Sequence, residues 1–286
     1  TSFTENTVTL TAPVTSANII PPGEDVAAET LLVPKGKILT ASDLALIAGQ
    51  GIAEIGVYKK LSIGLISTGS ELLNTGSPLE YGKIYNTNPY LLGGYIQKHH
   101  MTANYLNTVS DDLDSLCRAV LDALKTNDVV ITTGGVSAGD FDYMPEVIRR
   151  IGGDLLFHRL KFKPGGAMLG AFKDGKVILG LSGNPGAAAT GLLCVGFPFM
   201  RKLSGRSDIT FSQTTAYLGV DFKKSSPVTR ILKGHSDFKN GMLYFTPLSN
   251  QHNGSVSSMS DCDLLAIIPA GSKPLAAGDK LEVYIL

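Results

Sequence analysis

The chain has 286 residues, with 25 basic and 25 acidic side chains and therefore a formal net charge of zero. Because it carries no basic run, the composition gives no reason to expect nucleic acid as a partner. No stretch approaches the roughly 20 uninterrupted apolar residues of a membrane span, so we expect no membrane insertion. The cysteines Cys117, Cys194 and Cys262 are widely spaced. This spacing argues against a disulfide framework or structural zinc site and predicts a reducing, cytoplasmic setting.

The length allows two or three domains, and three segments of the chain differ in composition and in sequence pattern. Residues 1–60 are rich in Thr, Pro and Gly. Short alternating runs within them predict a partial β-rich linker domain, with strands at 8–12 and 53–58. A short helix is predicted over residues 41–49, because Thr40 can cap its first turn.

The second segment, residues 61–207, alternates between strand-like and helix-like patterns. Such alternation is typical of an α/β domain with a mostly parallel central sheet and helices on both faces. Residues 208–286 instead predict a small C-terminal all-β domain, either a sandwich or a barrel. The α/β strands are predicted at 62–67, 129–133 and 176–181, its helices at 89–100, 113–126, 144–151 and after Pro185, and the later strands at 214–220, 228–234, 243–247, 264–269 and 280–286.

The most informative stretch is residues 129–142. Its first three residues are β-branched and apolar, which predicts a short buried strand. They run into a turn of small residues that allows backbone N–H groups to approach a ligand closely. A strand, a glycine-rich turn and a helix N-terminus together favour a phosphate or another oxyanion. By itself the stretch predicts an anion-binding α/β domain.

Two further loops follow predicted strands of the same segment: residues 67–71, which contain Glu71, and residues 181–185, which contain Asn184. In an open α/β sheet, ligands bind beyond the carboxyl ends of the strands. Each loop alone has an ordinary structural explanation, such as Glu71 favouring a helix dipole or Asp142 acting as an N-cap. Three such loops in one domain favour a single shared pocket.

Other polar residues are weaker candidates. Capping of the following helix explains one of Asp111 and Asp112. Lys161 and Lys163 alternate along a strand, so they would share one face, and Lys163 precedes a glycine turn that suits an oxyanion. The histidines lack metal-ligand spacing, and the sequence carries no hydrolase, dinucleotide or Walker motif. From the residues alone, we therefore predict a domain that binds a phosphorylated or oxyanionic ligand. A Mg²⁺ ion held by carboxylates is compatible with this prediction.

Five motifs of the α/β segment occur together, at residues 67–72, 82–88, 133–142, 163–165 and 180–185. In order and spacing the set closely resembles the molybdopterin molybdenumtransferases, the family that includes the E domain of gephyrin. The flanking regions are similar to the family as well, so the resemblance covers nearly the whole chain. It implies the molybdopterin-binding α/β fold, which the molybdopterin adenylyltransferases share.

The resemblance implies that the chain inserts molybdate into adenylylated molybdopterin and releases AMP, with help from Mg²⁺. Glu71 and Asp142 would then be catalytic and metal-binding carboxylates, and Lys163 would bind molybdate or the terminal phosphate. Physically, this is electrostatic clamping of a polyanion whose charge a cation offsets. The other positions that the resemblance implies as contacts to the cofactor or molybdate are Thr68, Gly69, Asn88, Asp112, Gly134, Gly135, Ser137, Gly139, Pro164, Gly165, Gly183, Asn184, Pro185, Arg230 and Ser255.

The chain departs from the family pattern at several positions. Gly166 stands where the family has a second anion-binding lysine, so Gly166→Lys is expected to lower the molybdate concentration that the protein needs. Ser182 replaces a proline, and Ala187 replaces a serine. The family's N-terminal extended subdomain is expected to lie outside this sequence. Because the chain starts at Thr1 without a hydrophobic leader, we expect that upstream sequence can be missing.

These departures leave three functions open. The retained Glu71 and Asp142 favour a molybdopterin molybdenumtransferase. The missing lysine favours a non-catalytic module that binds molybdopterin or the molybdenum cofactor. A molybdopterin adenylyltransferase is the third reading, although that activity does not need the flanking β regions. The resemblance further implies a homodimer, with a molybdopterin adenylyltransferase or molybdoenzyme chaperones as additional partners.

Overall fold

The computed structural model describes three ranges of the chain, residues 1–12, 19–136 and 142–286. They form two compact units, Thr1–Gly56 and Val57–Leu286. Ser137 and Gly139, two of the predicted anion-binding residues, lie outside the described ranges. Within those ranges, every helix is too short or too polar to span a lipid bilayer.

The first unit contains little regular structure. Strand β1 (Ser2–Phe3) pairs with β2 (Val8–Thr9) as an antiparallel ribbon, and helix α1 spans Ala41–Gly49. The Thr40 side chain accepts a hydrogen bond from the N–H of Asp43, and the Asp43 carboxylate accepts one from the N–H of Thr40. This reciprocal cap explains why the predicted helix begins where it does.

Two strand predictions for the N-terminal region are wrong. The strand predicted at 8–12 is limited to Val8–Thr9, and no strand forms at 53–58. The side chains of residues 51–60 are exposed throughout. An alternating pattern without a buried face gains little from pairing, because packing against neighbours is what stabilises a strand.

In the second unit, a six-stranded sheet carries the α/β fold. The strands predicted as β-branched or apolar runs form at the predicted residues, and the strand Val129–Thr133 is buried along its whole length. Continuous burial is typical of central parallel strands covered on both faces. The sheet consists of β3 (Ser62–Ser67), β6 (Thr102–Tyr105), β7 (Val129–Thr133), β8 (Asp154–His158), β10 (Leu169–Lys173) and β11 (Lys176–Leu181).

The strand order across this sheet is β6-β3-β7-β11-β10-β8. The first four strands are parallel, whereas β10 is antiparallel to both β11 and β8. The small ribbon of β4 (Leu72–Leu73) and β5 (Ile84–Tyr85) lies outside the sheet. The parallel half therefore brings the carboxyl ends of β3, β7 and β11 to one edge.

Helices cover both faces of this sheet, as the alternating sequence pattern predicts. One apolar cluster joins the sheet to α2 (Asn88–Lys98), α5 (Pro185–Gly191) and α6 (Phe197–Leu203), the last two being linked by a π-helical turn. The other cluster joins it to α3 (Leu113–Thr126) and α4 (Met144–Arg150). In α3 the buried residues recur at helical spacing, which explains why this helix forms and which face it packs. They are Leu116, Val120, Ala123 and Leu124.

The C-terminal strands close into a small barrel rather than a sandwich. The barrel strands are β12 (Gln213–Leu218), β13 (Thr229–Lys239), β14 (Met242–Pro247), β15 (Leu264–Ile268) and β16 (Lys280–Ile285), with the short helix α7 (Ser257–Ser260) before β15. Their order is β14-β12-β16-β15-β13, and an additional pairing of β13 with β14 closes the ring. The two-residue strand β9 (Phe162–Lys163) extends from the α/β segment and pairs with β13.

The barrel and the α/β sheet share one apolar core. Leu192 and Met200, from the helices on one face of the sheet, belong to the same buried cluster as Ile231 and Leu265 from the barrel. Full burial of each such side chain stabilises the fold by roughly 1.5–3 kcal/mol. The relative position of sheet and barrel is therefore fixed by packing, which matters for the site between them.

Candidate functional site

The loops that follow β3, β7 and β11 meet at one edge of the sheet. The N–H of Thr68 donates to Thr133 O at 2.9 Å, and the N–H of Gly134 donates to Leu181 O at 3.0 Å. A Cβ atom on Gly134 would overlap Thr68 Oγ1, and one on Gly183 would lie 3.6 Å from the Cα of Gly134. Gly134 also has a φ of +100°, which favours glycine. The structure thus brings the first residues of all three loops into contact.

Asn88, the first residue of α2, ties this helix to the third loop. Its Nδ2 donates to Gly183 O at 2.9 Å. Its Oδ1 is buried and has no hydrogen-bond partner among the residues that the structure describes. A buried acceptor of this kind is costly unless a ligand or water donates to it. The predicted contact residue Asn88 therefore has unused bonding capacity beside the third loop.

Glu71 is exposed at the mouth of the first loop. A Cβ atom on Gly69 would lie 2.7 Å from Glu71 Oε2, so the carboxylate lies over this glycine. The loop is anchored on either side, because Lys83 Nζ donates to Ser70 O at 2.7 Å and the N–H of Ser70 donates to Asp111 Oδ2 at 3.3 Å. Strand β4 follows Glu71, so its role is not that of a residue at a helix start.

Asp142, at the far end of the second loop, has a mostly buried side chain. Its Oδ2 lies 3.4 Å from His158 Nε2 and 3.6 Å from Arg159 Nη2, both in or just after β8. Burial raises the pKa of Asp142, and the neighbouring His158 and Arg159 counteract part of that effect. Neither partner could be inferred from the sequence, because both reach Asp142 from a strand that no local pattern predicts.

Lys163 lies in β9, directly beside Arg230 in the parallel register with β13. The turn after it packs tightly on α5: a Cβ atom on Gly165 would lie 2.7 Å from Gly191 N. A Cβ atom on Gly166 would overlap the carbonyl oxygen of Phe162. The expectation that a lysine at 166 restores a lost contact is therefore wrong, because this turn leaves no room for any side chain there.

The barrel covers the third loop with residues 250–256. Asn253 O accepts hydrogen bonds from the N–H groups of Gly186 at 2.8 Å and Ala187 at 3.3 Å, at the start of α5. A Cβ atom on Gly254 would lie 3.5 Å from Asn184 Oδ1. The predicted residue Ser255 belongs to this segment, and its Oγ accepts from the side chain of Asn250 and the N–H of Ser258.

Lys233, which the sequence analysis missed, lies at the centre of this contact. Its side chain is fully buried, and its Nζ donates to His252 O at 3.2 Å and to Ser258 Oγ. Nζ also lies 3.2 Å from the position of a Cβ on Gly186. Burial lowers the pKa of this ammonium group. The alternation of β13 could have indicated a lysine on the inward face, but not what it meets.

Arg230, the other residue predicted to contact molybdate from the barrel, lies beside Lys163 rather than at the start of α5. Its guanidinium carbon lies 5.9 Å from the centroid of the Phe222 ring, and its Nε is buried without a partner among the described residues. It is Lys233, three residues further along β13, that reaches the start of α5. Side chains three residues apart on a strand point to opposite faces, which accounts for the difference.

The remaining predicted residues have clear local roles. Asp112 caps α3: its carboxylate accepts from Ser115 N at 2.9 Å and from Ser110 Oγ, and these bonds lower its pKa to about 2. Pro185 is the first residue of α5, where the lack of an N–H costs nothing. Gly135 has a φ of +66°, and its carbonyl accepts from the N–H that opens α4. Pro164 precedes the glycine turn after β9.

The carboxylates of the described residues are not grouped as the ligands of an all-protein metal site would be. In residues 1–12, 19–136 and 142–286, no group of three or more His, Cys, Asp or Glu side chains could hold a metal ion. Mg²⁺ is usually bound by one or two carboxylates together with substrate phosphates. The donor set here fits that arrangement and does not fit an all-protein metal site.

Two family models match the chain: the probable molybdopterin binding domain over residues 64–202, and the MoeA C-terminal region, domain IV, over residues 215–286. Molybdopterin molybdenumtransferase from Staphylococcus aureus is 33% identical over 282 residues, which are 98% of this chain and 67% of that protein. The protein of the same name from Bacillus subtilis is 35% identical over 272 residues, 95% of this chain and 63% of that protein.

Among solved structures, the molybdopterin biosynthesis moea protein from Pyrococcus horikosii aligns with a TM-score of 0.79 at 27% identity. The alignment covers 92% of this chain and 64% of that one. The chain therefore belongs to the molybdopterin molybdenumtransferase family, and it spans about two thirds of the length of these relatives. These matches confirm the predicted family and fold class. They also confirm the predicted role in molybdenum cofactor biosynthesis, as a member of an enzyme family.

Proposed function

We propose that this chain binds adenylylated molybdopterin across the three loops and inserts molybdenum from molybdate as AMP is released. The observation that carries the proposal is the direct packing of Thr68, Gly134 and Gly183 at the carboxyl ends of adjacent parallel strands. Because Gly134 and Gly183 carry no side chain, a pyrophosphate can approach the backbone of these loops closely. The family match over both the α/β segment and the barrel supports the same substrate.

The polar groups around the loops suit a polyanion attached to a heterocycle. Lys163 supplies an exposed cation at the turn after β9, and Lys233 supplies a second positive charge at the start of α5. Each charge-assisted hydrogen bond to an anion contributes roughly 1.5–3 kcal/mol. The unpartnered Oδ1 of Asn88 suits an N–H donor, which a pterin ring carries. Thr68 adds a hydroxyl group beside Gly134.

The proposal includes Mg²⁺ held by Glu71 together with substrate phosphates. Glu71 is exposed at the pocket mouth, whereas Asp142 is mostly buried and contacted by two basic side chains. When bound, the ion would neutralise phosphate charge. Glu71 then orients the phosphates, and Asp142 fixes the far end of the second loop. Excess chelator is expected to stop AMP release, and added Mg²⁺ to restore it.

The test is AMP release by the purified chain given adenylylated molybdopterin, Mg²⁺ and molybdate. Glu71→Gln is expected to reduce the rate at least 100-fold, since it removes the carboxylate charge beside the phosphates while keeping the shape. Glu80→Gln, the same change at an exposed glutamate in the next loop, between β4 and β5, is the matched control and should retain the wild-type rate. Equal rates for the two variants would exclude Glu71 from the reaction.

One observation favours a second function, a non-catalytic binder of molybdopterin or of the molybdenum cofactor. The family's second lysine is absent, and the turn at Gly166 has no room for one. The two functions differ in whether the bound adenylylated pterin is converted to AMP and product. Tight binding of the adenylylated pterin, with no AMP formed in the presence of molybdate, would favour the binder.

The proposal extends to the organisation of the protein. We retain residues 1–60, 61–207 and 208–286 as its domain boundaries, with a homodimer as the assembly and a molybdopterin adenylyltransferase or molybdoenzyme chaperones as partners. The three cysteines are free thiols, in line with a cytoplasmic location. Light scattering during gel filtration is expected to give about 60 kDa, twice the 30.2 kDa of one chain. A mass near 30 kDa would contradict the dimer.

A further inference from the structure

A second cavity lies at the end of α2 that is remote from the three loops. Helix α2 begins with Asn88 beside the pterin pocket and ends at Lys98, and its 11 residues span about 16 Å. Its last residues, the α6 residue Arg201 and the connection into β12 line an open cavity of about 540 Å³, called here the α2–α6 cavity. That volume is typical of sites for small organic ligands.

Arg201 is the central polar residue of this cavity. It is only 5% exposed, and its guanidinium lies 4.2 Å from the centroid of the Phe211 ring. Nη1 donates to Thr210 O at 2.8 Å, whereas Nε has no partner among the described residues. The side chain is thus held firmly in place while its hydrogen-bonding capacity is only partly used.

The positive charge of Arg201 is only partly balanced: burial and the charge of Arg206 lower the pKa of its guanidinium, and the nearby Asp208 carboxylate offsets part of that effect. In the described part of the chain, no acidic side chain forms an ion pair with it, and Asp208 on the same wall is paired with Arg206 at 2.8 Å. Nη2 of Arg201 contacts His99 Nδ1 at 3.3 Å. Burial, together with the charge of Arg201, lowers the pKa of His99 to about 4, so His99 is neutral near pH 7. A buried cation whose charge is only partly balanced is costly.

The remaining walls suit a small organic anion. Lys98 contributes a second cation at the rim, where its side chain is exposed. The hydroxyl groups of Thr210 and Ser212 and the amide of Gln213 line the cavity, and Ile209 gives it an apolar side. We propose that the α2–α6 cavity binds a small oxyanion, a molecule bearing phosphate or carboxylate groups, with Arg201 and Lys98 as its charged contacts. This site is separate from the pterin pocket and does not depend on its function.

The test measures binding of inorganic phosphate and of citrate to the full chain by titration calorimetry, with potassium chloride at matched ionic strength as the reference. Saturable binding of either anion is expected. The anion with the higher affinity shows whether the cavity prefers phosphate or carboxylate groups. Lys98→Gln should weaken the affinity for the anion about fivefold, since the substitution removes one exposed charged contact. Lys202→Gln removes an exposed lysine next to Arg201 that does not line the cavity, and it should leave the affinity unchanged.

Two further variants separate this site from the alternatives. Arg201→Met keeps the apolar stem that packs on Phe211 and removes the charge, so anion binding should be lost. A cooperative thermal unfolding transition shows that this variant is folded. Lys163→Gln alters the pterin pocket and should not change binding. Binding that is lost in Lys163→Gln but survives Lys98→Gln would belong to the pterin pocket and overturn the proposal. So would the absence of saturable binding, or equal effects of Lys98→Gln and Lys202→Gln.

Discussion

At the scale of single residues, Gly166 shows how a missing side chain can be built into the fold. From the sequence, a glycine in place of a lysine reads as a lost contact that a substitution could restore. In the structure, any Cβ at this position would overlap backbone carbonyl groups of Leu160 and Phe162. The tight turn and the glycine therefore depend on each other, which a comparison of side-chain chemistry alone does not reveal.

This leads to a prediction about stability. Gly166→Ala is expected to lower the free energy of unfolding by about 1–3 kcal/mol or more, because the methyl group forces the backbone apart. Gly254→Ala is the matched control: its Cβ would make an ordinary 3.5 Å contact, so a change within about 0.5 kcal/mol is expected. Urea unfolding of both variants measures the difference. Similar midpoints for the two would show that the turn can relax.

His99 provides a prediction about pH. Its pKa is lowered from 6.5 to about 4 in the folded protein, so the unfolded chain binds more protons between these values. The free energy of unfolding should therefore fall as the pH drops from about 6.5 towards 4. In His99→Gln, which keeps an acceptor for Arg201, this loss should be smaller. Urea unfolding at pH 7.5 and pH 5 measures it, and an equal loss in both proteins would contradict the assignment.

At the scale of elements, local patterns predict the central apolar strands of the α/β sheet and the barrel strands well, and they do not predict β6, β8 and β10 of the sheet. The buried strands β3, β7 and β11 are continuous apolar runs, and all three form at the predicted residues. Strand β10 was missed, although Asp174 and Gly175 have φ of +49° and +80° and join it to β11. An Asp-Gly pair between strands is a strong hairpin signal, and the Asn240-Gly241 pair marks the β13–β14 turn in the same way.

The start of α3 offers a prediction at this scale, because two adjacent carboxylates have different partners. Asp112 caps the helix, whereas Asp111 accepts from the N–H of Ser70 in the Glu71 loop. Asp112→Ala is expected to lower the urea midpoint with little change in the rate of AMP release. Asp111→Ala should slow AMP release with little change in the midpoint. If Asp112→Ala stops the reaction without altering stability, this residue contacts substrate instead.

At the scale of the whole molecule, the site depends on contacts between distant segments. Motif spacing predicted that three loops share a pocket, because the carboxyl ends of parallel strands lie at one edge of a sheet. No sequence pattern indicated that Lys233 and Asn253 of the barrel cover the start of α5. Such contacts arise from packing over long sequence distances, so they become visible only once the fold is known.

The role of the barrel can be tested through Lys233. Lys233→Met keeps the apolar stem but removes the ammonium group that holds His252 and Ser258, so AMP release should fall about tenfold. Lys239→Met, an exposed change on the same strand, should have no effect. Circular dichroism should show that both variants keep their secondary structure. Wild-type rates in Lys233→Met would mean that this contact is structural only.

The most direct test of the central claim is whether AMP release by the wild-type chain requires molybdate. The purified protein is mixed with adenylylated molybdopterin and Mg²⁺, and AMP is quantified with and without molybdate. If the three loops and the barrel form a molybdenum-inserting site, AMP should accumulate only when molybdate is present. Tight binding of the pterin without any AMP in either case would contradict the claim, since it would leave a protein that binds the substrate but does not convert it.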